Sequence, residues 1–78
     1  MYSAKEKQLA QDITDALHDP LSYGLYLGYS AVIPHDILRQ KLAYVLNVPD
    51  EKILNSRAAY FIHLIEQHKE FGNGGSRN

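Results

Sequence analysis

The chain of 78 residues contains no cysteine and carries no excess charge of either sign. Without cysteine, disulfide bonds and thiolate metal sites are excluded, so neither compensates for the small size of the chain. A net charge of −1 supplies no broad basic surface of the kind that nonspecific nucleic-acid binding requires. We therefore expect one small domain that is held together by apolar packing.

Long apolar runs are also missing. No stretch approaches the roughly 18 apolar residues that a membrane-spanning helix needs, and residues 1–7 contain no apolar segment of signal-peptide length. The hydrophobic fraction of 45% nevertheless suits a globular domain. We expect a cytoplasmic protein that does not associate with membranes.

A first helix is predicted over about residues 4–18. Ser3 and Glu6 have the spacing of a capping box, which satisfies two backbone amides at a helix start. Apolar residues then recur every three to four positions. Asp19-Pro20 ends this helix, because the residue before a proline avoids the helical conformation.

The segment from Leu21 to Ile33 has an ambiguous pattern. Every odd position is apolar or aromatic, which is the period of a β-strand, and Gly24 and Gly28 each weaken a helix by about 1 kcal/mol. No other part of the sequence has a strand pattern, so a strand here would leave its backbone groups unpaired. We predict a helix over about residues 20–30, with a strand paired across a homodimer as the alternative.

A third helix is predicted over about residues 34–46. Pro34 suits the first helical position, and Asp36 lies in the first turn, where negative charge is favoured. Asn47 is predicted to end this helix in a left-handed conformation.

The last helical region covers residues 49–71. It is predicted either as one helix or, as we favour, as a short turn followed by a separate helix over about 56–71. Gly72 is a typical stop signal, and residues 72–78 are expected to form a disordered, flexible tail.

Together these patterns predict an all-α domain over residues 1–71. It would be a compact bundle of four helices, or of three helices plus a short helical turn. The apolar positions at helical spacing are expected to form its core: Leu9, Ile13, Leu17, Leu27, Leu38, Leu42, Val45, Ile53, Phe61, Leu64 and Ile65.

Part of this region has the apolar spacing of a DNA-binding motif. Gln40, Leu42-Ala43, Leu46-Asn47-Val48 and Ile53 resemble the helix-turn-helix family over residues 40–57. The resemblance implies a DNA-binding module whose second helix reads the duplex. The polar residues that would then contact DNA are Arg39, Lys41, Lys52, Asn55 and Arg57.

Two features of the same region depart from that family pattern. Asp50 and Glu51 would open the reading helix, where their negative charge repels phosphate. Ser56 stands where the last apolar anchor is expected. DNA binding is therefore the alternative function rather than the first.

Three further segments, Asp19-Pro20, Ile33-Pro34-His35 and residues 56–61, are similar to small helical segments of bacterial mobile-element and replication-associated proteins. The similarity spans about residues 19–68. It implies a role in DNA transactions such as replication, transcription or mobile-element maintenance, and it assigns no role to any single residue.

Tyrosine is the abundant aromatic residue, with six in the chain. Tyr23, Tyr26 and Tyr29 lie in the middle segment, beside two glycines whose small size lets another helix approach. Tyrosine combines a large contact area with a polar tip, which suits an interface or the boundary of a core. We predict that these three tyrosines form a protein interface. The chain would then be a non-catalytic module that associates with a protein partner or with itself.

Residues suited to metal binding or catalysis form no recognisable set. His63, Glu66 and Glu70 share one helix face, but this pattern is typical of a solvated surface, and a metal needs three or four converging ligands. No serine has recognisable histidine and carboxylate partners in the sequence. We expect no catalytic residue, no metal, no cofactor and no small-molecule substrate.

Overall fold

Four α-helices, joined by connections that include two 3₁₀ turns, make up the described part of the chain. The computed structural model describes the backbone of residues 1–72 and the side chains of residues 1–68. The helices are α1 (Ala4–Leu17), α2 (Tyr23–Val32), α3 (His35–Asn47) and α4 (Arg57–Gly72), and the turns are Pro20–Ser22 and Asp50–Lys52. The prediction of an all-α bundle is confirmed.

Both ends of α1 are capped. The Ser3 hydroxyl accepts a hydrogen bond from the Glu6 amide at 3.1 Å, and the Glu6 carboxylate accepts one from the Ser3 amide at 2.7 Å. The predicted capping box is therefore confirmed. At the other end His18 adopts a left-handed conformation with φ of 54°, and the Asp19 amide donates to the Thr14 carbonyl oxygen at 3.1 Å. This Schellman-type ending stops the helix one residue earlier than predicted.

Helix α2 resolves the ambiguity of the middle segment. Its buried residues include Tyr26, Tyr29 and Ser30, and Ile33 follows at the same spacing, which is the period of a helix rather than of a strand. No strand occurs among residues 1–72, so the strand alternative is wrong for the described structure. The helix begins later than predicted, because Pro20–Ser22 forms a 3₁₀ turn.

The connection between α3 and α4 differs from both helix-turn-helix geometry and the predicted cap. Asn47 is not left-handed but is the last residue of α3, and extended Val48 follows it. One 3₁₀ turn then precedes Ser56, whose hydroxyl accepts a hydrogen bond from the Ala59 amide at 3.0 Å at the start of α4. The prediction of a short turn and a separate helix is confirmed. Residues 48–56 contain no α-helix, so the second helix that the helix-turn-helix resemblance implies does not form within them.

The helices pack mainly in two pairs, α1 with α2 and α3 with α4. The molecule measures 36 × 33 × 20 Å, and its smallest dimension corresponds to about two helix diameters. One buried cluster joins the pairs, with the following members: Leu9, Ala10, Ile13, Leu17, Tyr26, Tyr29, Ile33, Leu38, Leu42, Val45, Phe61 and Ile65.

Eight of the eleven predicted core residues belong to this cluster. Leu27 and Leu64 are only partly buried and pack against it. Ile53 lies outside it, because it follows the 3₁₀ turn in the connection instead of facing the core from a helix. The predicted tail lies outside the described residues, except that Gly72 ends α4.

Candidate interaction surfaces

Two of the three tyrosines predicted to form an interface lie in the core. Tyr26 and Tyr29 are almost completely buried, and the Tyr26 ring meets Phe61 edge to face with ring centroids 5.8 Å apart. Their hydroxyls reach the edge of the core, where Tyr26 donates to Asp19 at 2.9 Å and Tyr29 donates to Glu66 at 2.6 Å. This burial argues against the predicted interface role of Tyr26 and Tyr29, whereas Tyr23 is half-buried.

The surroundings of these two phenols favour their neutral form. Burial raises the pKa of Tyr26, and the hydrogen bond to the Asp19 carboxylate raises it further. The pKa of Tyr29 is raised in the same way by burial and by the Glu66 carboxylate. Both rings thus serve the core as apolar bodies with satisfied polar tips.

The opposite side of α2 is the first candidate interaction surface. We call it the outer face of α2 and define it by Leu21 in the preceding turn together with Gly24, Leu25, Gly28 and Val32. The side chain of Leu21 is 97% exposed, that of Leu25 is 41% exposed and that of Val32 is 71% exposed. The sequence pattern could have predicted this face, because these positions recur at helical spacing on the side of α2 opposite Tyr26 and Tyr29.

The two glycines of the outer face of α2 lie in open space. A methyl group built on Gly24 or Gly28 would meet no atom of the surrounding structure within 4 Å. No described element therefore packs closely enough over α2 to require glycine at either position. Gly24 and Gly28, four positions apart, form a strip of small residues on the same side of α2 as Leu25 and Val32.

The second candidate surface lies across α3 and α4 and is centred on two tyrosines. Tyr44 and Tyr60 meet edge to face with ring centroids 6.1 Å apart, and their hydroxyl oxygens are 3.4 Å apart. Tyr44 is 54% exposed. The hydrogen bond with Tyr44 raises the pKa of Tyr60. We call this pair the tyrosine ridge.

Two grooves border the tyrosine ridge, one at Tyr60 and the other at Tyr44. The larger, about 480 Å³, is lined by Tyr60 together with Lys52, Leu54, Asn55 and His63, among others. The smaller, about 290 Å³, is lined by Gln40, Lys41, Tyr44 and Leu64. Each groove contains one lysine, and neither is lined by a carboxylate among the described residues.

The structure divides the five predicted DNA contacts into two groups. Arg57 points into the fold, where its guanidinium donates to the Val45 and Val48 carbonyl oxygens at 2.6 and 2.7 Å and pairs with Asp50. Arg39 pairs with Asp12 of α1 at 3.2 Å. The remaining three residues, Lys41, Lys52 and Asn55, line the grooves beside the tyrosine ridge.

Arg57 has a structural role that no local sequence pattern indicates. At the end of α3 the Val45 carbonyl oxygen accepts a long hydrogen bond of 3.3 Å from the Val48 amide, and the Val48 carbonyl oxygen lies beyond the helix, so both can take a further partner. The Arg57 side chain, at the start of α4, supplies that partner and joins the two helices. It is only 26% exposed, which removes most of the guanidinium from solvent.

The residues considered for metal binding do not converge. His63 lines the larger groove, Glu66 accepts the Tyr29 hydrogen bond, and the Glu70 side chain lies outside the described residues. Among the described side chains, no group of three or more histidine and carboxylate residues could hold a metal ion. Nor does any helix of the described structure have both the length and the apolar character to cross a membrane.

No family model, curated protein or solved structure matches the chain. Function is therefore inferred from the two surfaces themselves.

Proposed function

We propose that the chain is a non-catalytic association module that pairs with a second copy of itself through the outer face of α2. The observation that carries this proposal is the exposure of Leu21, Leu25 and Val32 along one side of α2. A row of exposed aliphatic side chains is typical of an interaction site, because covering apolar surface stabilises a complex by about 25 cal/mol per Å².

The charge distribution favours a second copy as the partner. Residues 20–34 contain no aspartate, glutamate, lysine, arginine or histidine. A twofold dimer brings the same patch together from both subunits. A charged residue on this patch would therefore face the same charge on the other subunit. The outer face of α2 has none, and two copies meet without electrostatic repulsion.

The glycines support the same geometry. Each costs the helix about 1 kcal/mol relative to alanine, and the packing within one chain does not require either of them. Helix axes approach more closely where the side chains at the contact are small. Gly24 and Gly28 would thus form the strip over which the partner's α2 crosses.

The size of the patch sets the expected strength of association. Helix α2 has ten residues and a length of about 15 Å. Its outer face alone is smaller than the roughly 800 Å² per partner that a standard stable interface buries. We therefore expect a reversible dimer with a dissociation constant in the micromolar range.

Sedimentation velocity over a range of protein concentrations tests this proposal. The wild-type chain is expected to shift from monomer to dimer with rising concentration, and Leu25→Lys/Val32→Lys should stay monomeric because four lysines would then meet at the interface. A matched control is Leu46→Lys/Leu54→Lys, which changes two other exposed leucines (43% and 94% exposed) and should dimerise as the wild type does.

Two outcomes would contradict self-association through α2. One is a wild-type chain that stays monomeric up to about 1 mM, far above the expected micromolar dissociation constant. The other is a dimer that both double-lysine variants weaken equally, because the contact would then not be specific to α2.

A further inference from the structure

We propose that the tyrosine ridge and its two grooves bind an acidic peptide segment of a protein partner, and that this segment carries one large apolar side chain. This surface belongs to α3, α4 and their connection, whereas the dimer contact proposed above belongs to α2. The two proposals rest on different residues, and each stands if the other fails.

Charge is the first argument for an acidic ligand. Lys52 lines the groove that borders Tyr60 and Lys41 lines the groove that borders Tyr44, and no ion pair with another described residue neutralises either of them. No described carboxylate lines the grooves. The surface therefore presents one positive charge in each groove beside the tyrosine ridge, which complements a segment with carboxylates on either side of its apolar residue.

The apolar side chains indicate what must lie between those carboxylates. Leu54 is 94% exposed at the larger groove, next to Tyr60, and Tyr44 is 54% exposed on the ridge. Exposed leucine and tyrosine gain free energy when a large aliphatic or aromatic side chain covers them. A ligand made only of acidic residues would leave this part of the surface uncovered.

The same chain shows that its tyrosines pair readily with carboxylates. Tyr26 and Tyr29 each donate a hydrogen bond to a carboxylate oxygen, at 2.9 and 2.6 Å. The hydroxyls of Tyr44 and Tyr60 lie 3.4 Å apart, at the long limit of a hydrogen bond, so they gain by turning to a stronger acceptor. A ligand carboxylate next to the apolar side chain supplies that acceptor.

A single-stranded nucleic acid would also place negative charge near aromatic rings, but the observations favour the peptide. Binding nucleic acid takes several phosphate contacts. The two arginines nearest in sequence, Arg39 and Arg57, are paired with Asp12 and Asp50. Two lysines and a net charge of −1 leave too little positive charge for a nucleic-acid track.

Fluorescence anisotropy with the full chain tests the peptide proposal. The probe is a labelled twelve-residue peptide of aspartate and glutamate with a central phenylalanine, and the reference probes are the same peptide with lysine in place of each acidic residue and a twelve-nucleotide oligothymidylate. We expect the acidic peptide to bind with a dissociation constant of about 100 µM or tighter, typical of a small transient interface.

A matched pair of charge variants locates the binding site. Lys41→Glu/Lys52→Glu should weaken binding of the acidic peptide about tenfold, because it replaces two attractive contacts by two repulsive ones. Lys5→Glu/Lys7→Glu makes the same change in net charge on exposed positions of α1 and should leave binding within about twofold. Backbone amide NMR shifts should concentrate at Tyr44, Leu54 and Tyr60.

Any one of three results in these binding assays would overturn the peptide proposal. Absence of binding at millimolar protein would do so, as would equal weakening by the two charge variants or equal binding of the lysine peptide. Tighter binding of the oligothymidylate than of the acidic peptide would assign the surface to nucleic acid instead. The dimer variant Leu25→Lys/Val32→Lys should bind the peptide normally, which separates this outcome from failure of self-association.

Discussion

At the scale of single residues, Arg57 shows how one side chain holds two helices in place. Its guanidinium satisfies the Val45 and Val48 carbonyl groups and pairs with Asp50 while lying mostly out of solvent. Hydrogen bonds to a charged group each contribute about 1.5–3 kcal/mol. We expect Arg57→Ala to lower the free energy of unfolding by about 2 kcal/mol, measured by urea titration with circular dichroism.

Two further variants show whether the fork of donors or the charge alone matters. Arg57→Lys keeps the charge but lacks the planar fork, so it should recover less than half of the loss. Arg39→Ala removes the exposed ion pair with Asp12 and should cost no more than about 0.5 kcal/mol. An Arg57→Ala variant as stable as Arg39→Ala would show that solvent satisfies these carbonyl groups equally well.

At the scale of the element, α2 carries two glycines that the monomer does not need. Because a methyl group on Gly24 or Gly28 meets open space, alanine should improve helix propensity without a clash. We expect Gly24→Ala/Gly28→Ala to raise the free energy of unfolding of the monomer by about 1–2 kcal/mol. Thermal unfolding of dilute protein measures this effect.

The same variant should weaken the proposed dimer, because two methyl groups then separate the crossing helices. Opposite signs for monomer stability and for association would be difficult to explain without a contact at this face. Ala31→Gly, on the exposed side of the same helix, serves as the reverse control and should destabilise the monomer by about 1 kcal/mol. Destabilisation by the alanine pair would instead indicate that α2 is covered within the chain.

Local sequence patterns were sufficient to predict the ends of α1 and the separate turn before α4. Ser3 and Glu6 act through neighbouring backbone amides, so their spacing alone predicted the contact that forms. The side of α2 that faces the core depends instead on where Phe61 lies, and that placement comes from residues 35 positions further along the chain. The sequence therefore predicted a helix in this segment but did not show that Tyr26 and Tyr29 face the core.

The contacts that Arg57 makes within the fold could not be predicted for the same reason. An arginine at the edge of a helical turn can contact either a phosphate group or a backbone carbonyl group. The apolar spacing of residues 40–57 favoured the phosphate contact. Only the extended conformation of Val48 and the placement of α4 bring the Val45 and Val48 carbonyl groups within its reach. Contacts of this kind arise from packing and have no local sequence signal.

At the scale of the whole molecule, two buried phenols connect the helix pairs and couple folding to pH. Tyr26 links α2 to Phe61 of α4, and Tyr29 reaches Glu66 of the same helix. Burial is the main cause that raises the pKa of both phenols above the ordinary value of 10.0. The unfolded chain therefore loses these protons at a lower pH than the folded chain does.

Because the unfolded chain loses the phenolic protons first, the free energy of unfolding falls as the pH rises. The contribution of the neutral phenols to stability is complete below about pH 10 and is lost as the pH rises from there toward the folded-state pKa values. Each tyrosine adds a slope of at most about 1.4 kcal/mol per pH unit in this range. Urea unfolding between about pH 9 and pH 11.5 should show this decline in the wild-type chain.

Removing the two hydroxyls tests this coupling directly. Tyr26→Phe/Tyr29→Phe keeps both rings, so it should fold at neutral pH with a loss of about 1–3 kcal/mol for the two hydrogen bonds to carboxylates. Its stability should then fall less steeply with pH than that of the wild type. Tyr2→Phe, outside the core, should keep the wild-type slope. Equal alkaline slopes for the double variant and the wild type would mean that other groups cause the decline and that the phenols do not couple folding to pH.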